Sequence, residues 1–339
     1  MRNIKSILVT GGSGFIGWNF CELILEKFDI KIVNIDNLTY ASKDKIFQIK
    51  NKKNYQFYKK DICDVISLNE IIDKYQFDAI IHFAAETHVD NSINNSDEFI
   101  KTNIIGTHNL IKICNEKLQQ KKLSKDFLLI HISTDEVFGH LELNEPAFTE
   151  NSKYKPKNPY SATKASADHL VKSFIETYHF PAIILRCCNN YGPYQHQEKL
   201  IPKIINNIIN QKPIPIYGEG KQIREWIFAK DFANAIIKVL KKGKIYESYN
   251  IGSSIEFENI KLTHLICNLM DQKLNLKKSS KKLINFVEDR PGHDFRYAIN
   301  SSKIYKELNF KAETDIEQGL NQTIDFFLKD KQIKIVSFS

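Results

Sequence analysis

The sequence predicts an α/β fold built on a doubly wound parallel sheet, with a smaller mixed α/β region after it. Three observations carry that prediction. Short apolar runs alternate with longer helical spacings, a glycine-rich turn follows the first run, and the alternation stops near residue 188. The runs are SILVT (6–10), IKIVNID (30–36), YQFY (55–58), DAIIHFAA (78–85), DFLLIHIS (126–133) and PAIILRC (181–187). Helical periodicity fills 15–28, 66–76, 103–120 and 160–179. Strands that are apolar almost throughout are buried on both faces, so helices must cover each side of the sheet.

Beyond residue 188, PKIINNIINQK (202–212) reads as a helix and PIPIYGEG (213–220) as a turn region punctuated by proline and glycine. REWIF (224–228) reads as a strand, and an amphipathic helix falls around 314–328. The expected division is a nucleotide-binding domain over 1–188, with 222–252 returning to it. A smaller substrate-binding domain takes mainly 189–330.

Composition narrows the class. The 339 residues are 42% hydrophobic and 26% charged, which excludes a disordered or collagen-like chain. The longest apolar runs, such as AIILRCC (182–188), fall far short of the roughly 18 residues a membrane helix needs. The few apolar residues before Gly11 do not make a signal-peptide core, so a soluble, cytoplasmic protein is expected. Net charge is +8, yet the lysines are scattered in pairs without aromatic interleaving, as on a solvated surface. Neither nucleic acid nor a membrane is expected as a partner. Arginine occurs five times only, which nominates Arg224 and Arg290 for planar, bidentate recognition of phosphate. The six cysteines form no CxxC pair, so neither a metal site nor a disulfide framework follows.

The first strand ends in GGSGFIG (11–17), where Gly11, Gly14 and Gly17 allow a tight turn and close approach of a pyrophosphate to a helix beginning near Phe15. Asp36 stands 19 residues past Gly17, at the end of the second strand. A carboxylate there accepts from a ribose 2′-hydroxyl and repels a 2′-phosphate, so NAD is expected rather than NADP. In YSATK (160–164), Tyr160 and Lys164 share a helical face. An ammonium beside a phenol lowers its pKa and fits it to act as a base. STDEVFG (133–139) places Asp135 and Glu136 at the end of the fifth strand, where ligands bind in open α/β sheets. Two adjacent acids there suit proton donation by one and abstraction by the other, provided their surroundings split their pKa values.

A dinucleotide-binding half followed by YxxxK resembles an extended short-chain dehydrogenase/reductase with a Rossmann-type sheet. Within that group the chain is similar to the dTDP-glucose 4,6-dehydratase family almost end to end. The matching motifs are GGSGFIG (11–17), DNLTYA (36–41), DICD (61–64), HFAAETHVDNSI (82–93), STDEVFG, YSATKASADHL (160–170), NNYGPYQHQEKLIP (189–202), PIYGEG (215–220) and DRPGHDFRYAI (289–299). STDE separates this family from the related nucleotide-sugar epimerases.

The resemblance implies a tightly bound, recycled NAD and a dTDP-glucose substrate. Tyr160, helped by Lys164 and Thr134, would take the proton from the sugar 4-hydroxyl; Glu136 would remove the carbon-5 proton and Asp135 would protonate the departing 6-hydroxyl. Implied cofactor contacts are Gly11, Gly14, Phe15, Ile16, Gly17, Asp36, Asn37, Leu38, Thr39, Asp61, Ile62, Ala84, Ala85, Thr102, Tyr160, Lys164 and Asn190. Implied substrate contacts are Thr87, Thr134, Asn189, Glu198, Lys199, Leu200, Pro215, Tyr217, Arg224, Asn259, Arg290 and His293. A capping histidine at 293 and plain packing at Tyr217 are the competing readings there. Cys188, Asn91, Thr87 and FAKDFANA (228–235) depart from the family pattern and leave the base and sugar preference open. A homodimer through the helices near 103–120 and 160–179 is also implied. UDP-glucose as substrate, UDP-sugar epimerisation and a non-catalytic NAD- or RNA-binding role stand as alternatives.

Overall fold

A computed structural model of the chain describes residues 2–39, 42 and 52–330. The last two residues of the DNLTYA motif, Tyr40 and Ala41, lie outside the described residues. Elements alternate from the start: β1 (Ser6–Thr10), α1 (Phe15–Lys27), β2 (Lys31–Asp36), β3 (Tyr55–Lys59), α2 (Val65–Lys74) and β4 (Ala79–His82). Next come α3 (Val89–Asn94), the single turn α4 (Asp97–Phe99), α5 (Thr107–Gln119), β5 (Leu128–Thr134), α6 (Pro159–Tyr178) and β6 (Ala182–Cys187). The helix expected from 103 differs at its start, because 100–106 is wound as a π-helix whose hydrogen bonds skip one residue further than in α5.

The later elements are β7 (Asn189–Tyr191), α7 (Leu200–Ile209), β8 (Ile214–Tyr217), β9 (Ile223–Phe228), α8 (Ala229–Lys242) and β10 (Ser248–Ile251). The chain continues through β11 (Glu256–Glu258), α9 (Asn259–Lys273), β12 (Ile284–Val287), α10 (Ser302–Leu308) and α11 (Ile316–Asp330). The segment 213–220, expected to be a turn, holds β8. Its Ile-Pro-Ile-Tyr run pairs in parallel with β12, and Ile214 and Ile216 point into the core. Proline is tolerated at such a two-strand edge because no ladder N–H is required of it.

The main sheet has seven parallel strands in the order β10-β6-β5-β4-β1-β2-β3. The order reverses between β1 and β4, which places the mouth of the sheet at the carboxyl ends of those two strands. β5 and β6 are buried along their whole length, and apolar residues on both faces pack under α1 and α8 on one side and α2, α5 and α6 on the other. A three-stranded sheet, β11-β9-β7, and the β12-β8 pair frame a further apolar core with α7, α9 and α11. Among the described residues no helix is long and apolar enough to cross a membrane.

Local sequence fixes the helix that matters most. Asn158 caps α6 by accepting from the Ser161 N–H at 2.8 Å, and Ser161 Oγ returns toward the Asn158 N–H at 3.3 Å. Pro159 supplies the first helical φ at no hydrogen-bond cost. Tyr160 is therefore set on the opening turn of α6, with Lys164 one turn on.

Candidate active site

The mouth of the sheet opens on a cavity of about 380 Å³. At one end the glycine turn is pressed against the sheet. Gly11 has φ +72°, and a Cβ there would lie 2.6 Å from the Ala84 nitrogen; a Cβ on Gly17 would overlap the Gly11 carbonyl oxygen. At Gly14 an added Cβ would meet only that same oxygen, at 3.3 Å. No side chain caps α1, and its first turn lines the cavity, so the positive end of the helix is available to an anion. Asp36, almost buried, anchors the turn: its carboxylate accepts from the Ser13 N–H at 2.9 Å and the Leu38 N–H at 2.8 Å. The turn and the unpartnered, buried Oδ1 of Asn190 in the cavity wall both fit a dinucleotide.

Of the expected cofactor residues, Gly11, Gly14, Phe15, Ile16, Gly17, Asp36, Asn37, Thr39, Asp61, Ile62, Ala84, Ala85, Thr102, Tyr160, Lys164 and Asn190 line the cavity. Leu38 does not. It takes a left-handed φ of 58° and spends its N–H on Asp36.

At the other end stand the acids and the Tyr–Lys pair. Lys164 Nζ donates to the Ile132 carbonyl at 2.8 Å, and burial brings its pKa down to about 8 against the pull of Asp168 one turn along α6. Tyr160 is 7% exposed. Its phenol is pushed well above the ordinary range by burial and then by the nearby Glu136 carboxylate. The expected lowering by Lys164 is not what this structure shows, because the ammonium is turned onto a carbonyl and desolvation dominates.

Thr134, the last residue of β5, donates to Asp135 Oδ1 at 3.2 Å and receives the Glu136 N–H at 3.3 Å. Asp135 Oδ2 and Glu136 Oε2 are buried without a partner. Both carboxyls are raised by burial, but unequally in their surroundings. Asp135 is raised well above the usual range, with Glu136 and Glu225 adding to the effect of burial. Glu136 is raised by burial while Arg290, Arg224 and Lys199 draw it back. Burial thus raises both, with like charge adding to it at Asp135 and cations opposing it at Glu136, a difference of the kind that acid–base work needs.

Among the expected substrate residues, Thr87, Thr134, Asn189, Glu198 and Lys199 line the cavity, while Leu200, Pro215, Tyr217, Arg224, Asn259, Arg290 and His293 do not. Leu200 opens α7, Pro215 sits in β8 and Asn259 opens α9 with a buried, unpartnered Oδ1. Arg224 is not a free fork. Its guanidinium donates to the carbonyls of Ile223 at 2.7 Å, Asp294 at 2.8 Å and Phe295 at 3.2 Å, and lies over the Tyr297 ring. His293 braces its own turn through Asp289 at 2.6 Å, the capping reading of that residue, and burial with two neighbouring arginines lowers its pKa to about 4.

The sequence reading missed three residues. Asn103, on the π-helical segment, accepts from the Glu86 N–H at 2.8 Å and donates to Thr163 Oγ1 at 2.9 Å, tying the cavity wall to α6. Gln195 lines the cavity with its Nε2 committed to the Asn190 carbonyl and its Oε1 unpartnered. Asp90 receives both Tyr217 and Arg290. No spacing rule reaches these, since each is defined by contacts across the fold. Among the described residues no cluster of three or more His, Cys, Asp or Glu is arranged to hold a metal ion.

A glycine turn on a parallel sheet, facing a Tyr–Lys pair across one cavity, defines the extended short-chain dehydrogenase/reductase class. Residues 8–323 match the family model described as GDP-mannose 4,6 dehydratase. A dTDP-glucose 4,6-dehydratase of Haemophilus influenzae is 46% identical over 96% of this chain and 98% of its own. The crystal structure of DesIV, a dTDP-glucose 4,6-dehydratase from Streptomyces venezuelae with NAD bound, superposes with a TM-score of 0.88 at 34% identity, covering 96% of this chain and 98% of that one. A UDP-glucuronic acid 4-epimerase from Bacillus cereus shares the fold with a TM-score of 0.85 at 26% identity, over 97% of this chain and 100% of that one. The chain belongs to the dTDP-glucose 4,6-dehydratase family.

Proposed function

We propose that the chain converts dTDP-glucose to the 4-keto-6-deoxy sugar nucleotide with NAD. The observation that carries this reading is the adjacent pair beside Tyr160, Asp135 buried and Glu136 half-buried, with one buried oxygen of each unpartnered. An epimerase shares the fold, so the fold alone does not choose between the reactions. Elimination of water needs an acid and a base together, and the pair supplies both.

When bound, NAD would supply a hydride acceptor for carbon 4 of the sugar and a hydride donor for carbon 6. Gly11, Gly14, Gly17 and the first turn of α1 would hold its pyrophosphate, and Asp36 its adenosine ribose. Tyr160 would take the 4-hydroxyl proton as a phenolate, an ionisation that burial opposes in the free chain and that the Thr134 hydroxyl and the positive nicotinamide of bound NAD would favour. A ketone at carbon 4 acidifies the hydrogen at carbon 5; the Glu136 carboxylate removes it and gives the proton back to carbon 5 when hydride reaches carbon 6. Asp135, kept protonated by burial, gives its proton to the departing 6-hydroxyl, which leaves as water. Lys199 and Arg290, at the sugar end, supply positive charge for the diphosphate. The protein's part is positioning and proton management.

Residues 1–188, rejoined by part of 222–252, form the dinucleotide half in this reading, and 189–330 mainly the sugar-nucleotide half. The packing of α8 on α1 and the pairing of β10 with β6 support the return of the chain. Two copies pair through the helices around 103–120 and 160–179, where Ile100, Ile105 and Tyr178 are exposed. A monomeric mass by light scattering would remove that pairing. Six free thiols suit the reducing cytoplasm.

The deciding experiment incubates the purified protein, without added NAD, with dTDP-glucose, UDP-glucose and GDP-mannose in parallel. Loss of one water from dTDP-glucose in preference to the others is expected by mass spectrometry. Preference for UDP-glucose, or a product of unchanged mass, would overturn the reading.

A further inference from the structure

Asp90 has no place in the reaction as derived, yet it joins two of the residues at the sugar-nucleotide end. It lies in the first turn of α3, on the wall that follows β4. Its Oδ2 receives the Tyr217 hydroxyl at 3.1 Å, and its Oδ1 receives Arg290 NH1 at 3.3 Å. The two partners stand 127 and 200 residues further along the chain, on β8 and in the segment after β12. One carboxylate thus spans from the dinucleotide half to the two side chains expected at the nucleotide.

The geometry leaves those side chains usable. Arg290 commits only NH1 to Asp90 and keeps Nε and NH2, two donors on adjacent corners of the fork. Tyr217 gives its proton to Asp90, so the phenol oxygen turns its lone pairs outward. The Tyr217 ring also meets His293 edge-on, with centroids 6.0 Å apart, which limits its swing. Charge follows the same pattern. Arg290 is the leading cation acting on Glu136, and Lys199 feels Glu198 most, then Glu136, Arg290 and Asp90. Without Asp90, Arg290 would be drawn to Glu136, the carboxylate that the elimination needs unencumbered.

We propose that Asp90 is a positioning residue for sugar-nucleotide binding, which holds Arg290 and Tyr217 in the orientation that receives the diphosphate-bearing end of the substrate. The inference rests on the function proposed above. Immobilising a long guanidinium before the ligand arrives lowers the ordering cost of binding. An outer partner that orients a ligand-binding group through one atom, and leaves its other donors free, is the same device that tunes metal ligands.

The test is Asp90→Asn, assayed with dTDP-glucose at steady state and by calorimetric titration with dTDP. Wild-type protein run alongside shows whether the substrate itself is right. If wild type dehydrates dTDP-glucose, the account expects Asp90→Asn to weaken dTDP binding by about tenfold, with the loss falling more on KM than on kcat. Combined with Arg290→Ala, Asp90→Asn should cost little more than Arg290→Ala alone, because both act through one guanidinium. Asp90→Glu should recover part of the loss. Unchanged or tighter dTDP binding in Asp90→Asn would overturn the proposal, tighter binding marking Asp90 as a competitor for Arg290. Full additivity in the double variant would overturn it as well. Wild-type silence toward dTDP-glucose would instead count against the function on which the proposal depends.

Discussion

The two ends of the cavity are built by different means. The dinucleotide end is mostly backbone: a glycine turn, an uncapped helix start and a strand-terminal carboxylate that accepts from two main-chain N–H groups and the Ser42 hydroxyl. The sugar end is side chain: two raised carboxyls, a desolvated lysine and arginines held by carbonyls or by Asp90. Backbone geometry binds without being altered, whereas buried titratable groups cost stability so that protons can be moved. The lesson is that binding and chemistry are separated physically as well as along the chain.

The sharpest way to break that comparison is Tyr160→Phe. Removing the phenolic oxygen takes away the base at carbon 4, and hydride transfer should fall by about 10³-fold or more. Normal turnover in stopped-flow assays of this variant would remove Tyr160 from the chemistry. Next in size is Asp135→Asn combined with Glu136→Gln. Oxidation at carbon 4 should persist, seen as a nicotinamide absorbance change, while release of water slows by roughly 10²-fold or more. Full dehydration by this variant would refute the division of labour.

Two glycine variants probe the other end. Gly17→Ala puts a Cβ against the Gly11 carbonyl and should destabilise the fold by roughly 2 kcal/mol or more, read by denaturant titration. Gly14→Ala crowds one backbone oxygen at 3.3 Å and should lose less stability than Gly17→Ala while retaining less NAD. Equal stability losses in the two would show that the turn is not divided in this way.

The smallest effect is thermodynamic. Asp135 is raised in the folded chain, so above about pH 4 the unfolded chain releases a proton that the folded chain keeps. Stability of the wild type therefore declines relative to Asp135→Asn as pH rises from there, and the two converge below about pH 4. At neutral pH the variant should be the more stable of the two. A wild type that is more stable at neutral pH would contradict burial as the cause.

Legibility followed the same boundary. GGSGFIG and Asp36 were readable because backbone turns and strand ends demand particular residue types at fixed spacing. Tyr160 and Lys164 were readable because a helix fixes the i, i+4 relation, although the direction of the phenol's shift was not. That shift depends on desolvation and on Glu136, which meets Tyr160 only through the fold. The strand at 214–217 hid behind its proline, since its partner, β12, lies some 70 residues away. Arg224 was readable as a special arginine but not as one held by three carbonyls, and Asp90 stood within HFAAETHVDNSI with nothing local to mark its role.

The central claim is that one site oxidises carbon 4, eliminates water with the acid pair and returns the same hydride to carbon 6. It is tested most directly with dTDP-glucose carrying deuterium at carbon 4, incubated without added NAD and followed by mass spectrometry. Product one water lighter, with the deuterium on carbon 6, is the predicted result. Deuterium lost to solvent, or retained at carbon 4 in a product of unchanged mass, would contradict it.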